Sequence, residues 1–258
     1  LKAIAIKTDP VTGICLDELE KVVEQYDIKA CWLMSHCQNP LGGTMPDENK
    51  IRLVEILAAK QITLIEDDVY GELYNSPKAP MPVKGFDKSN SVLHCASFSK
   101  CLAPGFRVGW VAAGKHATKI QQLQMMSTVS ASMPTQQAIA DYLSQGGYDG
   151  HLRRLRLLLE QRRYRMLQAI QTHLPKDVKV NIPVGGYFLW LEFEPSFDAN
   201  TLYHFALERG VSIAPGAMFS TSSQFNHAFR LNSSFQWNSQ TEKGMQIIGE
   251  GCRKLRRK

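Results

Sequence analysis

The sequence predicts an α/β protein with a mostly parallel sheet, followed by a smaller α+β domain. In the first half, short apolar runs alternate with amphipathic helical segments, and strands separated by helices imply a parallel sheet. One apolar run, residues 62–65, is β-branched and leads directly into Glu66, Asp67 and Asp68. That pattern is typical of a buried parallel strand whose carboxyl end faces a ligand crevice. After Gly146 and Gly147 the alternation stops.

Local patterns predict each element of the first half in turn. Residues 16–26 form a short amphipathic helix that opens near Asp17, and the strand at 30–35 leads to Asn39. A helix then opens at Pro46 and Asp47. The remaining elements are strands at 62–65, 91–97 and 107–112, and helices at 115–130 and 134–143.

The second half begins with a long helix over residues 151–173, whose leucines recur at intervals of three and four. The elements beyond it are strands at 178–182, 187–193, 211–214 and 228–231, and helices at 199–209 and 241–255. We therefore predict two domains, a large one over 1–150 and a second, 151–258, formed by the bridging helix and a small α+β part.

Composition is compatible with such a two-domain chain. The 258 residues are 44% hydrophobic, enough for one large core and a smaller one. The net charge is +6, from 30 Lys and Arg against 24 Asp and Glu, which is a weak indication of a phosphate-bearing partner. We interpret the arginines of the long helix as a solvated face with internal ion pairs. The basic run at 253–258 suits a helix C-terminus, where positive charge is favourable without any partner.

Several classes of site and location are disfavoured. The six cysteines include no Cys-x-x-Cys pair, which indicates reduced, mostly packed thiols in a cytoplasmic protein. None of the seven histidines has metal-ligand spacing, so we predict no metal; His36 lies near Asn39 but is interpreted as structural. No apolar run approaches the roughly 18–20 residues of a membrane span.

The chemistry is concentrated at Ser97-Phe98-Ser99-Lys100 and at Arg107 in a Pro/Gly turn. A lysine attacks an aldehyde only as the neutral amine, which burial or a nearby positive charge favours, and Arg107 could supply that charge. The hydroxyls of Ser97 and Ser99 can donate hydrogen bonds to phosphate, and a guanidinium binds two phosphate oxygens. A lysine that forms a Schiff base beside a phosphate site indicates pyridoxal 5′-phosphate.

The acidic residues after the strand at 62–65 suit the same cofactor. A pyridine nitrogen stays protonated, and so remains an electron sink, only when an anion lies against it. One aspartate can supply that anion, and Tyr70 can bond the phenolic oxygen of the ring. Asp67 and Asp68 are both candidates for the nitrogen.

Four motifs occur in the order of a known family. Asn39-Pro40-Leu41-Gly42, Asp67-Asp68-Val69-Tyr70, Ser97-Phe98-Ser99-Lys100 with Arg107, and Phe229-Arg230-Leu231-Asn232 together resemble the class I/II aminotransferases. The resemblance implies a PLP-dependent transferase fold of type I, an amino acid or amine ligand and a homodimer. The Asp-x-x-Tyr spacing of the family favours Asp67 over Asp68.

The resemblance also implies a role for each matching residue. Lys100 would bind the cofactor aldehyde and move the substrate proton, Asp67 would pair with the pyridinium nitrogen, and Arg230 would bind the substrate carboxylate. The remaining cofactor contacts would be the ring oxygen, held by Asn39 and Tyr70, and the phosphate, held by Ser97, Ser99 and Arg107.

The same resemblance predicts that the chain is truncated at its N-terminus, since the family normally begins with an arm, a glycine-rich phosphate loop and an aromatic side chain on the ring. Two kinds of protein carry this domain. In MocR-type regulators of the GntR family, a winged helix-turn-helix precedes it and binds DNA, and spellings such as Ile213-Ala214-Pro215-Gly216 look closer to these. The alternative is a free-standing aminotransferase that moves an amino group to a 2-oxo acid.

Overall fold

The computed structural model describes residues 2–220 and 223–256, and the chain divides into two compact units. The first unit comprises Leu1–Gln38 and Gly43–Arg156, and the second comprises Asn39–Gly42 and Leu157–Lys258. The predicted functional domains, 1–150 and 151–258, stay a prediction. Leu1 and the end of the basic run, Arg257 and Lys258, lie outside the described residues.

The first unit contains strands and helices in alternation. Its elements are β1 (Thr8–Asp9), β2 (Gly13–Ile14), α1 (Leu16–Gln25), β3 (Ala30–Leu33), α2 (Asp47–Ala59), β4 (Thr63–Asp67), β5 (Val92–Ser97), β6 (Gly109–Ala112), α3 (Ala117–Thr128), α4 (Met133–Ser144) and the start of α5 (Tyr148–His173). Helix α5 begins in the first unit and continues into the second.

The main sheet of the first unit has the strand order β3-β4-β5-β6. The pairs β3/β4 and β4/β5 are parallel and β5/β6 is antiparallel, so the predicted mostly parallel sheet is confirmed. The predicted strand at 107–112 starts too early, because Arg107 has a φ of 55°, in the left-handed region that a strand does not contain. The β1/β2 hairpin was not predicted, since two-residue strands carry no periodicity.

Apolar side chains of α1 and α2 form the core of this unit with the sheet. Leu53, Leu57 and Leu64 are between 0% and 2% exposed, and Leu19 and Val92 belong to the same cluster. Both helices turn apolar side chains to this core, but Ile51 of α2 is exposed and Lys50 is buried, so the apolar spacing of α2 predicts its buried face only in part.

The first half of α5 is attached to the segment that follows β4. Arg156 donates from Nε to the carbonyl of Glu72 at 2.8 Å, and its guanidinium lies 3.7 Å from the ring centroid of Tyr74. Farther along the helix, Arg163 is buried. The interpretation of the helix arginines as a solvated face is therefore wrong for Arg163.

The second unit is built on an antiparallel sheet with the order β7-β8-β10-β9. Its elements after α5 are β7 (Lys179–Asn181), β8 (Phe188–Glu192), α6 (Ala199–Leu207), β9 (Ala214–Pro215), β10 (Ala228–Asn232) and α7 (Ser239–Leu255). The predicted strand at 211–214 overlaps β9 only at Ala214, because the pairing with β10 runs through Ala214 and Pro215.

Both helices that follow α5 have side-chain caps. Asp198 accepts the N–H of Asn200 at the start of α6, and Asn238 accepts the N–H of Thr241 at the start of α7. Between them and the sheet lies a core that includes Leu202, which is fully buried.

None of the helices in residues 2–220 and 223–256 is long and apolar enough to cross a membrane. The six cysteines are free thiols; Cys37, Cys101 and Cys252 are buried, Cys31 and Cys95 are half-buried, and Cys15 is exposed. Within the same ranges no group of three His, Cys, Asp or Glu side chains is arranged to hold a metal ion.

Helix α6 offers a matched test of the second core. Leu202 is 0% exposed and Leu207 is 47% exposed on the same helix. Leu202→Ala should lower the free energy of unfolding by about 2–5 kcal/mol, since it leaves a cavity. Leu207→Ala should cost less than about 1 kcal/mol. Urea unfolding of the full-length protein measures both, and equal losses would contradict the packing described for α6.

Candidate active site

The carboxyl ends of β4 and β5 bring several predicted residues together in the first unit. Asp67 pairs with Cys95 in the parallel ladder, so the segments after both strands leave the sheet at the same edge. The ammonium nitrogen of Lys100 lies 6.0 Å from the ring centroid of Tyr70. The positive charge of Lys100 also acts on Asp67, where it helps to lower the pKa. Asp67, Tyr70 and Lys100 therefore form one group.

Asp67 presents an acceptor that the described part of the chain leaves without a partner. Its Oδ1 is buried and receives no hydrogen bond there. Burial raises the pKa of Asp67, and the charge of Asp68 raises it further, against lowering by bonds from the Val69 N–H and the Trp32 side chain. A buried carboxylate oxygen with no donor is costly, so this geometry fits a cationic N–H donor such as a pyridinium.

Asp68 differs from Asp67 in its partners. His36 Nδ1 lies 2.8 Å from Asp68 Oδ1, and His94 Nε2 lies 3.6 Å from Oδ2. The Asp68 carboxylate is thus turned towards two histidines. This difference favours Asp67 for the ring nitrogen, the choice that the family spacing also favours.

The lysine segment contains an anion-binding pair. Arg107 donates from Nη1 to Ser99 Oγ at 3.0 Å, which leaves the Ser99 hydroxyl proton as a donor. Ser97 Oγ instead donates to the carbonyl of Val108 at 3.2 Å and accepts the Ser99 N–H at 3.1 Å. Ser97 therefore closes the turn, and Ser99 and Arg107 are better placed than Ser97 to bind a phosphate. Arg107 makes this bond from a residue whose φ of 55° lies in the left-handed region.

Lys100 is exposed in the structure. Burial of the Lys100 side chain, one of the two factors expected to favour a neutral amine, is therefore not found within the described residues. The next residue, Cys101, is buried: its Sγ lies 3.2 Å from the Tyr148 hydroxyl, and His151 Nε2 donates to its carbonyl at 2.7 Å. Burial raises the pKa of Cys101, which keeps it a thiol and supports its interpretation as packed. Helix α5 thus anchors the backbone beside the lysine.

In the second unit, Arg230 and Asn39 form a second group. Arg230 Nη1 donates to Asn39 Oδ1, and the guanidinium carbon lies 3.9 Å from the ring centroid of Phe188 and 4.9 Å from that of Phe219. The rings and the amide hold the guanidinium as a planar donor, the form that binds a carboxylate. Because Asn39 accepts through its oxygen, its NH₂ end is the one that can donate to a ring oxygen.

Each of the two groups includes contacts that the sequence did not indicate, although His36 itself stood out by its place near Asn39. The aromatic partners of Arg230 and the histidines beside Asp68 are separated from their partners by long stretches of chain, and no local spacing reveals them. The run Glu66-Asp67-Asp68 was the available signal, because three acidic residues in a buried strand end need compensating groups.

The profile of the family described as "Aminotransferase class I and II" matches residues 3–235. The chain belongs to this aminotransferase family. It is 51% identical over 250 residues to the uncharacterized HTH-type transcriptional regulator YdcR of Escherichia coli, covering 97% of this chain and 53% of that protein. It is 32% identical over 236 residues to aromatic-amino-acid aminotransferase 1 of Thermococcus litoralis, covering 91% of this chain and 56% of that enzyme.

Solved structures agree with this membership. The chain superposes on the crystal structure of LysN, the α-aminoadipate aminotransferase of Thermus thermophilus, with a TM-score of 0.92 at 27% identity. The match covers 98% of this chain and 66% of LysN. The predicted type I fold is confirmed. The chain spans about half the length of the curated relatives it matches.

The predicted cofactor is that of the family. The LysN structure is a complex with N-(5′-phosphopyridoxyl)-L-leucine, and that of the Pyrococcus horikoshii kynurenine aminotransferase contains PMP. Pyridoxal 5′-phosphate is thus the cofactor of this aminotransferase family, and the partnerless Asp67 Oδ1 together with the Ser99–Arg107 pair fits its two polar ends.

Gly71 provides a test of how the Asp68 side chain is placed. A Cβ at Gly71 would lie 2.4 Å from Asp68 Oδ2, whereas one at Gly105 would meet no atom within 4 Å. Because His36 and His94 hold Asp68, Gly71→Ala should lower the free energy of unfolding by about 1–3 kcal/mol. Gly105→Ala should change it by less than about 0.5 kcal/mol, as judged by urea unfolding. Indistinguishable effects would mean that Asp68 is free to move.

Proposed function

We propose that the chain is the PLP-binding, aminotransferase-like domain of a transcriptional regulator, and that it senses an amino acid or amine. The observation that carries the proposal is the 51% identity to an HTH-type regulator over 97% of this chain, against 32% for the curated aromatic aminotransferase. In this proposal DNA binding belongs to a winged helix outside the chain, and the protein is a cytoplasmic homodimer.

Within the proposal, the first unit holds the cofactor. Lys100, beside Tyr70, would provide the primary amine for the aldehyde, and the partnerless Asp67 Oδ1 would accept the N–H of the pyridinium. Arg107 and the Ser99 hydroxyl bind the phosphate. Tyr70 lies beside Lys100 and donates to the phenolic oxygen. The bound cofactor supplies an electron sink for the bonds at an amino acid Cα.

The second unit contributes the recognition of a carboxylate. Arg230 has its plane fixed between Asn39, Phe188 and Phe219, so little side-chain entropy is lost when it binds a ligand. Asn39 also donates to the ring oxygen through its amide nitrogen. Lys100 then has the one role that distinguishes sensing from turnover: as general base and acid it can hold or move the proton at Cα.

The alternative function is a free-standing aminotransferase. It is favoured by the similarity to the Thermococcus litoralis enzyme and by the retention of Lys100, Asp67 and Arg230, which are the groups that amino transfer requires. Turnover of an amino acid with a 2-oxo acid by the full-length protein separates the two functions. A regulator should bind the amino ligand without sustained release of keto acid.

Loss of the Lys100 amine should abolish covalent attachment of the cofactor. After incubation of the full-length protein with PLP and reduction by borohydride, mass spectrometry should find one adduct, on the peptide that contains Lys100. Lys100→Ala should show none. Lys115→Ala, at an exposed lysine outside the group, serves as the control and should retain it. An adduct that persists in Lys100→Ala would mean that another lysine is the anchor.

DNA binding tests the regulatory part of the proposal. A DNA site selected from a random pool with full-length protein should be bound more weakly or more tightly, by about fivefold or more, when PLP and a mixture of amino acids are added. The change should be absent in Lys100→Ala while binding without ligand is retained. If no DNA is selected and keto acid is released continuously, the enzyme is the correct function.

A further inference from the structure

A buried chain of polar and charged groups lies beneath the end of β4, and the proposed cofactor contacts do not use it. Its members come from several elements of the first unit. They are Ser35 and His36 after β3, Lys50 in α2, Glu66 and Asp68 around the end of β4, and His94 in β5. Asp68 has a side chain 9% exposed, and the others are buried. Buried ionisable groups require compensation, so their protonation can be assigned from their partners.

Glu66 is an ionised carboxylate. It accepts bonds from the Ser35 hydroxyl at 2.5 Å, the Val83 N–H at 2.7 Å, the Lys84 N–H at 3.0 Å and His94 Nδ1 at 3.0 Å. Burial acts to raise the pKa of Glu66, but these four donors lower it more, so the net direction is down. The ionised form of Glu66 therefore accepts all four of these hydrogen bonds.

Lys50 and His36 meet at the carbonyl of Met81. The Lys50 ammonium lies 2.7 Å from the carbonyl of Met81, 3.1 Å from His36 Nε2 and 3.2 Å from Asp47 Oδ1, so each of its three protons has a polar atom within reach. His36 Nε2 also lies 3.2 Å from the same Met81 carbonyl oxygen, and Nδ1 lies 2.8 Å from Asp68 Oδ1. The His36 ring therefore connects Asp68 to Lys50 and to the Met81 carbonyl.

His94 lies between the two carboxylates of this buried network, Glu66 and Asp68. Nδ1 is bonded to Glu66, and Nε2 lies 3.6 Å from Asp68 Oδ2. Burial and the charge of Lys84 act to lower the pKa of His94, while Glu66 and Asp68 raise it, and the net direction is up. The two carboxylates thus favour the imidazolium form of His94, and in that form it balances Glu66 and Asp68 together with Lys50. Asp67 is the additional carboxylate, and its buried Oδ1 receives no bond from any of these groups.

We propose that Asp68 is a positioning residue of the cofactor site: clamped by His36 and His94 beneath Gly71, it leaves Asp67 to the ring and sets the electrostatic field there. The proposal rests on the proposed binding of PLP. Gly71 makes room for this arrangement because it has no side chain: the Asp68 carboxylate occupies the position that a Cβ of residue 71 would take. The electrostatic potential at the ring depends on the charges of Asp68 and His94, because both residues lie close to Asp67. Asp68 follows Asp67 in the sequence, and His94 precedes Cys95, the residue that pairs with Asp67.

Charge removal on the two sides of this pair should have opposite effects. Loss of the Asp68 anion makes a protonated, positively charged form of the bound cofactor less favourable, and loss of the His94 cation makes it more favourable. A merely structural disturbance would move both variants in the same direction. The sign of the two shifts, rather than their size, therefore carries the test.

The measurement is the pH midpoint at which the long-wavelength absorption band of PLP bound to the full-length protein titrates. Relative to the unaltered protein, Asp68→Asn should lower the midpoint by about half a pH unit, and His94→Gln should raise it by a similar amount. His36→Gln removes one partner of Asp68 but keeps the Asp68 anion and His94, so it should shift the midpoint by less than either of these variants does. His116→Gln, a histidine outside the chain of groups, is the matched control and should leave the midpoint unchanged.

Each outcome decides the proposal. Opposite shifts for Asp68→Asn and His94→Gln support it, and shifts of the same sign, or none, overturn it. A rise in His36→Gln as large as that in His94→Gln overturns the assignment of the cation. If circular dichroism shows that Asp68→Asn does not fold, Asp68→Ser takes its place with the same expected sign. A parent protein that forms no band with PLP would instead refute the proposed function, before any variant is compared.

Discussion

The first unit depends on how the Glu66 carboxylate is satisfied. Its donors come from the loop after β3, from β5 and from the short 3-10 turn Val83–Phe86, so one side chain joins segments that are far apart in sequence. Removing it would leave several buried donors without acceptors, which costs more than the bonds themselves contribute. These bonds fix the backbone at the carboxyl edge of the parallel sheet, and they therefore also fix the direction of the next side chain, Asp67.

That rigidity has a chemical consequence for two adjacent aspartates. Strand β4 ends at Asp67, and Asp68 follows it directly. The Asp68 carboxylate lies against His36 and His94, whereas Asp67 keeps a buried oxygen without a donor and lies within the influence of the Lys100 charge. The same residue type thus has two environments within one dipeptide.

Much of this arrangement could be predicted from the sequence, since it has a local signal. The apolar run before Glu66 predicts the parallel strand, and the resemblance of the motifs to the family implies that Asp67, Tyr70 and Lys100 act together at its end. The bond from Ser97 to Val108, the exposure of Lys100 and the pairing of His94 with Glu66 could not be predicted. They depend on strand register and on turn geometry, which bring together residues that no periodicity relates.

The unit that carries Arg230 is discontinuous along the chain. Residues Asn39–Gly42 belong to it although the segments on both sides of them belong to the other unit. Within it, Leu41 packs against Trp190 and Ala228, and its carbonyl accepts a bond from Asn181. A fragment expressed from α5 onward would expose the indole of Trp190 and deprive the arginine of its amide neighbour. Dissection of this protein by a single cut would accordingly yield a C-terminal piece with an unfilled core.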